Sequence, residues 1–230
     1  MEEFLRTKML IGQENLNILS NSSVAIFGIG GVGSYTAEAL ARCGVGTLLL
    51  IDNDTVSLSN INRQIIALHS TVGQYKTDVM KQRIFDINPN CNVISKNIFY
   101  TSPEDIDLSQ IDYIVDAIDT VSAKLTLISQ ADKLSIPIIS SMGTGNKLDA
   151  SKFKIADIKK TSVCPLARVM RRELKSRGID KLKVLFSDET PITRNTTDST
   201  AKPVPASISF VPSVAGLLIA GEVVRDLTKI

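Results

Sequence analysis

Val24-Ala25-Ile26-Phe27-Gly28-Ile29-Gly30-Gly31-Val32-Gly33 is a short apolar run that closes in glycines spaced G-x-G-x-x-G. A continuous apolar run of this length suits a strand buried on both faces of a parallel sheet. The glycines suit a tight turn that opens a helix and lets phosphate approach backbone N–H groups. Working outward, Val32 to Cys43 reads as that helix, stopped by Gly44, and Thr47 to Ile51 as the second strand. Gln74 to Asn88 carries Val79, Met80, Ile84 and Ile87 at helical spacing until Pro89-Asn90 breaks it, and Asn92 to Ser95 is the next strand. Strand Tyr113 to Ile118, helix Ser122 to Lys133 and strand Ile136 to Ser140 continue the alternation. The pattern predicts an α/β fold: a Rossmann-like, doubly wound, mostly parallel sheet covered on both faces.

The segment beyond residue 150 reads differently. Lys152 to Asp157 alternates polar and apolar, with Phe153 and Ile155 on one side, as a half-exposed antiparallel strand does. Pro165 suits the first turn of a basic helix with an apolar face of Leu166, Val169, Met170 and Leu174, while Arg168, Arg171, Arg172 and Lys175 point away. Ser187 to Ala206, rich in Ser, Thr and Pro, reads as a mobile loop. A last helix, Ser213 to Thr228, is expected to be capped by Ser213. The expected organisation is a nucleotide-binding domain over 1–150 with an N-terminal arm, and a smaller lobe over 151–230 for a partner and for dimerisation.

Among 230 residues, 43% are hydrophobic, enough for a full core. No apolar run reaches the roughly 18 residues of a spanning helix, and Met1-Glu2-Glu3-Phe4 lacks the features of a signal peptide. The expectation is a cytoplasmic protein without membrane contact. Cys43, Cys91 and Cys164 are odd in number and far apart, which excludes a disulfide framework and offers no C-x-x-C pair for structural zinc. The single His69 cannot build a triad or a metal cluster by itself. Charge is unevenly spread: Lys152 to Lys183 holds eleven basic and three acidic residues, net +8, so the rest of a chain of net +2 carries −6. That asymmetry points to a polyanionic partner.

An acid about twenty residues beyond the glycine loop is expected to hold a ribose, and Asp52 stands there. Those two features leave NAD, FAD and ATP open. The polar run that follows, through Asn60, Arg63 and Gln64, with Lys76 beyond, favours a nucleoside triphosphate. Arg63 can make a bidentate contact to phosphate oxygens and Lys76 can add a point charge to the same anion. Asp116 and Asp119 fall where a strand reaches the carboxyl edge of the sheet. A carboxylate there can hold Mg²⁺ on phosphates, and Asp119 is preferred because Asp116, nearer the strand, suits a capping role.

Taken together, Gly28 to Gly33, Asp52-Asn53-Asp54, Asn60-Ile61-Asn62-Arg63-Gln64, Gly73-Gln74-Tyr75-Lys76 and Asp116-Ala117-Ile118-Asp119 resemble the E1-like adenylating enzymes, the superfamily of ThiF, MoeB and HesA. Within it, Ser140 to Gly145, Ala156-Asp157-Ile158, Lys160 to Ala167 and the basic helix resemble the branch of tRNA threonylcarbamoyladenosine dehydratases. The resemblance implies that Gly28, Gly30, Gly31, Gly33, Asp52, Asp54, Asn60, Arg63, Gln64 and Lys76 bind ATP and that Asp119 holds the magnesium. It implies that Arg6 reaches into the partner's site of a homodimer, where Arg6, Arg63, Lys76 and Asp119 form the catalytic set. It implies tRNA as the polyanion, bound by Arg168, Arg171, Arg172 and Lys175, and admits a sulfur-transfer protein as a further partner. The implied reaction is cyclisation of threonylcarbamoyladenosine at position 37 of tRNA through an acyl-adenylate, with loss of AMP and pyrophosphate. The alternative is an activator that adenylates the C-terminal Gly-Gly of a small sulfur-carrier or ubiquitin-like protein, a branch in which paired C-x-x-C motifs are common and which this chain fits less well. The dehydratase chemistry does not require a thioester cysteine, so Cys164 reads as a small buried hydrophobe.

Overall fold

The computed structural model describes residues 2–192 and 205–230. In chain order, α1 (Leu5–Asn21), β1 (Ser23–Phe27), α2 (Gly33–Cys43), β2 (Thr47–Ile51), α3 (Lys76–Ile87) and β3 (Asn92–Lys96) form the first half. β4 (Tyr113–Asp116), α4 (Val121–Leu134), β5 (Ile138–Ser141), β6 (Phe153–Asp157), α5 (Pro165–Ser176), β7 (Lys183–Ser187) and α6 (Phe210–Thr228) complete it. One seven-stranded sheet runs in the order β3-β2-β1-β4-β5-β7-β6. Every neighbouring pair is parallel except β6 with β7. The α/β class and the parallel, doubly wound sheet are as the sequence pattern requires. Residues beyond 150 extend this same sheet, and β6 alone runs antiparallel.

The apolar run Val24 to Phe27 lies in the interior of the sheet, between β2 and β4. Val24, Ala25, Ile26 and Phe27 are fully buried, because helices pack on both faces of β1. One core layer joins Ile26 and Leu50 to Leu40 of α2, Met80 of α3 and Ile219 of α6; the opposite layer joins Phe27 and Leu49 to Tyr100 and Leu127 of α4. A third cluster seats α5 through Ala167, Met170 and Leu174, with Cys164 inside it.

Four local expectations are corrected. β4 stops at Asp116 rather than Ile118, because the Asp116 carboxylate turns back to accept the N–H of Ile118 (3.2 Å) and curls the chain. β5 begins at Ile138, not Ile136: Ser135 caps α4 in the left-handed region, and Ile136 still donates to Ala131. α6 begins at Phe210, with Pro212 tolerated in the first turn, where N–H groups lack partners anyway. Ser213 is therefore no cap; its hydroxyl donates to the Ser209 carbonyl at 2.8 Å. On α5 the buried stripe is Ala167, Met170 and Leu174, while Val169 is exposed and Leu166 half-buried. The expected N-terminal arm is helical and breaks at Gly12, whose φ of 82° and ψ of 164° interrupt the helix. Of the loop expected over 187–206, residues 193–204 lie outside the described residues.

Candidate active site

The chain leaves β1 toward β2 and β3 on one side and later returns to place β4 on the other side of β1. The carboxyl ends of β1 and β4 therefore flank the point where strand order reverses, the usual ligand crevice of open α/β sheets. A cleft of about 450 Å³ opens there. Gly28, Gly30, Gly31, Asp52, Asp54, Asn60, Arg63, Gln64, Lys76 and Asp119 all line it.

The glycine loop is tight for a stated reason. Gly28 has φ of 88°, and a Cβ on Gly33 would sit 1.8 Å from the Gly28 carbonyl oxygen. Only bare backbone turns this sharply from β1 into α2. Asp52 braces the loop from the end of β2: one carboxylate oxygen accepts the Ile29 N–H (2.7 Å) and the other the Asp54 N–H (2.8 Å). Burial pushes its pKa above the ordinary value, against the pull of Lys76 and of the two backbone donors. Each oxygen retains a lone pair for a ribose hydroxyl.

The cations are pre-oriented. Lys76 begins α3, is buried, and places Nζ 2.6 Å from the Asp54 carboxylate, so the lysine charge is aimed by Asp54. Arg63 uses Nη1 on the Ser59 carbonyl (2.8 Å) and the Asn62 side chain (2.9 Å), leaving Nε and Nη2 for an anion. Asn60 is buried and accepts the Ser57 N–H through Oδ1 (3.1 Å), fixing the turn that carries Arg63. Gln64 is buried in the cleft, and its Oε1 is a side-chain atom without a hydrogen-bond partner among the described residues. Such an orphaned acceptor awaits a donor.

Asp119 is exposed at the rim and accepts the Thr120 hydroxyl at 3.3 Å, whereas Asp116 is fully buried against Lys124 (2.9 Å). The preference for Asp119 over Asp116 as the accessible carboxylate follows from that difference. Among the described residues no three His, Cys, Asp or Glu side chains converge, so a cation at Asp119 would share its shell with phosphates.

Several lining residues escaped the sequence reading. Ile98, Phe99 and Tyr100, just after β3, and Thr144, Ser207 and Pro212 also line the cleft. Asn97-Ile98-Phe99-Tyr100 was the readable signal: an apolar triplet just past a strand end. Tyr100 is anchored edge-on to Phe27 (centroids 5.0 Å apart) and donates to Gln130 at 2.7 Å, with burial pushing its hydroxyl pKa up.

The remaining expected residues lie elsewhere. Arg6 is exposed on α1, outside the cleft of its own chain, beside Leu5, Met9 and Leu10, which are 54%, 78% and 86% exposed. On α5, Arg168 and Lys175 are exposed, Arg172 pairs with Glu173 (3.0 Å), and Arg171 donates to the carbonyl (3.0 Å) and the hydroxyl of Thr161. Arg171 thus fastens a turn. Burial raises the thiol pKa values of Cys43 and Cys91, the latter to about 11, which disfavours the thiolate form. Cys164, also buried, and the exposed His69 lie outside the cleft.

Over residues 4–230 the sequence matches the model of the ThiF family. A tRNA threonylcarbamoyladenosine dehydratase of Bacillus subtilis (strain 168) is 49% identical over 243 residues, which cover 100% of this chain and 96% of the relative. The dehydratase of Escherichia coli (strain K12) is 40% identical over 177 residues, covering 76% of this chain and 66% of its own. The crystal structure of the E. coli enzyme in complex with AMP superposes with a TM-score of 0.91 at 33% identity, over 99% of this chain and 94% of that one. Its complex with ATP gives a TM-score of 0.89 at 33% identity and the same coverage.

Proposed function

The chain belongs to the ThiF family, and from that premise we propose that it is an ATP-dependent tRNA threonylcarbamoyladenosine dehydratase. The observation that supports this reading is the cleft at the β1–β4 switch point, which the glycine loop, Asp52, Arg63, Lys76 and Asp119 line together. E. coli relatives of the same fold are bound to ATP and to AMP, the substrate and a product of such a reaction.

In this mechanism the glycine-loop N–H groups at the start of α2 hold ATP phosphate, and Asp52 accepts a ribose hydroxyl. Arg63 and Lys76 take the phosphate oxygens on which charge builds as the substrate carboxylate attacks the α-phosphate. The α–β phosphoanhydride bond breaks, pyrophosphate leaves, and an acyl-adenylate forms. A heteroatom of the same modification then attacks the activated carbonyl, its proton is released, and AMP departs as the ring closes. The balance is loss of one water from the nucleoside, driven by ATP. Because the nucleophile belongs to the substrate, the protein has only to activate and orient it. Magnesium on the phosphates, held by Asp119, would supply Lewis-acid stabilisation of the leaving group.

Arg6 does not line the cleft of its own chain, and exposed apolar side chains surround it. The proposed cover is a second copy, with Arg6 completing the neighbouring site. The exposed cations Arg168, Arg172 and Lys175 supply the tRNA contact. Exchange of labelled pyrophosphate into ATP, stimulated by tRNA bearing threonylcarbamoyladenosine and not by unmodified tRNA, tests the proposal. Exchange indifferent to every tRNA would reject it.

A further inference from the structure

Beneath the cleft lies a group that the mechanism does not use. Lys124, on the first turn of α4, is completely buried, and its ammonium donates to the Asp116 carboxylate (2.9 Å), the Ser140 hydroxyl (3.1 Å) and the Ser141 carbonyl (2.9 Å). All three of its N–H bonds are thereby filled. Asp116, also fully buried, takes the Ser140 hydroxyl proton on the same oxygen (2.6 Å) and the Ile118 N–H on the other (3.2 Å).

We infer that Lys124 is a positioning residue for Asp119, acting through its buried ion pair with Asp116. The inference rests on the reading of Asp119 as the magnesium-binding carboxylate. Asp119 sits on the four-residue connection Ala117-Ile118-Asp119-Thr120 between β4 and α4. The ion pair joins the last residue of β4 to the fourth residue of α4, so it ties together both ends of that connection. Within it, the Asp116 carboxylate fixes Ile118, and the Thr120 carbonyl accepts the backbone N–H of Lys124 at 3.0 Å, the opening bond of α4 that any residue at that position would make. Asp119 therefore stands between two anchored residues. The bond to Ser141 adds the end of β5, which leads into the loop carrying Thr144, another lining residue of the cleft.

A buried ion pair is a poor way to gain stability, since well-packed apolar residues of similar volume serve as well or better. What it offers here is geometry: the ammonium donates at once to Asp116, Ser140 and Ser141 and so holds the ends of β4 and β5 together. Outer groups that orient a metal-binding carboxylate typically set metal affinity by ten- to a hundredfold.

The pair is removed as a unit, Asp116→Asn with Lys124→Met in one chain, so that no buried charge is left alone. Binding of α,β-methylene ATP is measured by calorimetry with and without Mg²⁺, next to Asp119→Asn. The expected result is a dissociation constant without Mg²⁺ within about twofold of the wild type, and a Mg²⁺-dependent tightening reduced by about tenfold. Asp119→Asn loses the same tightening. A merely structural pair would lower the melting temperature and leave the tightening intact, and that result overturns the inference while sparing the role of Asp119. Full tightening in Asp119→Asn overturns that role and the inference with it. Should the double variant not fold, Ser140→Ala keeps the ion pair and loses the two hydrogen bonds of the hydroxyl, one from Lys124 and one to Asp116. It is expected to lose the tightening by roughly threefold, and unchanged tightening there is equally fatal.

Discussion

Gly33 admits no side chain, because a Cβ would meet the Gly28 carbonyl oxygen at 1.8 Å. Gly33→Ala is therefore expected to weaken ATP binding by more than about tenfold and to destabilise the fold by about 1–3 kcal/mol through overpacking, read by calorimetry and chemical denaturation. Near-normal ATP affinity would remove the loop from the site. Asp52→Asn is a subtler test: its carboxylate receives two backbone N–H groups, and an amide must turn its own NH₂ toward one of them. A stability loss of about 1–3 kcal/mol follows from the donor left unpaired. At this scale the glycines, Asp52 and Asp119 were legible as lining residues because motif spacing places them near strand ends, and Arg63 because it lies in the polar run that follows β2. Lys124 was not legible. A lysine in the first turn of a helix reads as solvated, and only the pairing of β4 with β5 brings Ser140 and Ser141 to its ammonium. Phe99 was missed for a related reason: an aromatic past a strand end reads as core until the cleft beside it is seen.

Elements are held to one another by a few charged clasps. Glu38 of α2, only 6% exposed, receives Arg42 of its own helix (2.8 Å) and Arg83 of α3 (2.6 Å). Burial alone would raise its pKa, but the hydrogen bonds from Arg83 and Arg42 outweigh burial and bring it below 4.5. A carboxylate with a depressed folded pKa contributes stability above the ordinary value and loses it as pH falls through the folded one. Glu38→Gln should thus cost about 1–3 kcal/mol at neutral pH, with the gap to the wild type closing as pH drops below 4.5 in urea titrations. A gap independent of pH would show that Glu38 acts by packing. On α5, reversing Arg168 and Lys175 is expected to weaken tRNA binding and to flatten its dependence on salt, since each lost phosphate contact retains its counterions. Arg171 is the wrong residue for that experiment, as its reversal would release the Thr161 turn. Most elements were legible from apolar periodicity, but the helix α1 and the strand β7 were not read, nor were ends set by side chains. Asp116 ends β4 through its own carboxylate, and α6 begins three residues before Ser213 because a proline is tolerated in a first turn.

For the whole molecule, the alternation of strands and helices determined the class, but the position of β7 between β5 and β6 was not readable. Val184-Leu185-Phe186 is too short a run to announce a central strand, and its partners Ile139, Ser140 and Ser141 lie over forty residues earlier in the chain. A composite site across two copies predicts complementation. Arg6→Ala and Asp119→Ala, each inactive alone, should regain about a quarter of wild-type activity when mixed and allowed to exchange, because half of the dimers are then mixed and each carries one intact site. No recovery after confirmed exchange would place Arg6 outside the partner's cleft. The most direct test of the account is mass spectrometry of nucleosides from threonylcarbamoyladenosine-bearing tRNA incubated with the protein and ATP. The account predicts that this nucleoside loses the mass of one water, with AMP and pyrophosphate formed in equal amount. An unchanged nucleoside in the presence of folded protein that binds ATP would contradict it.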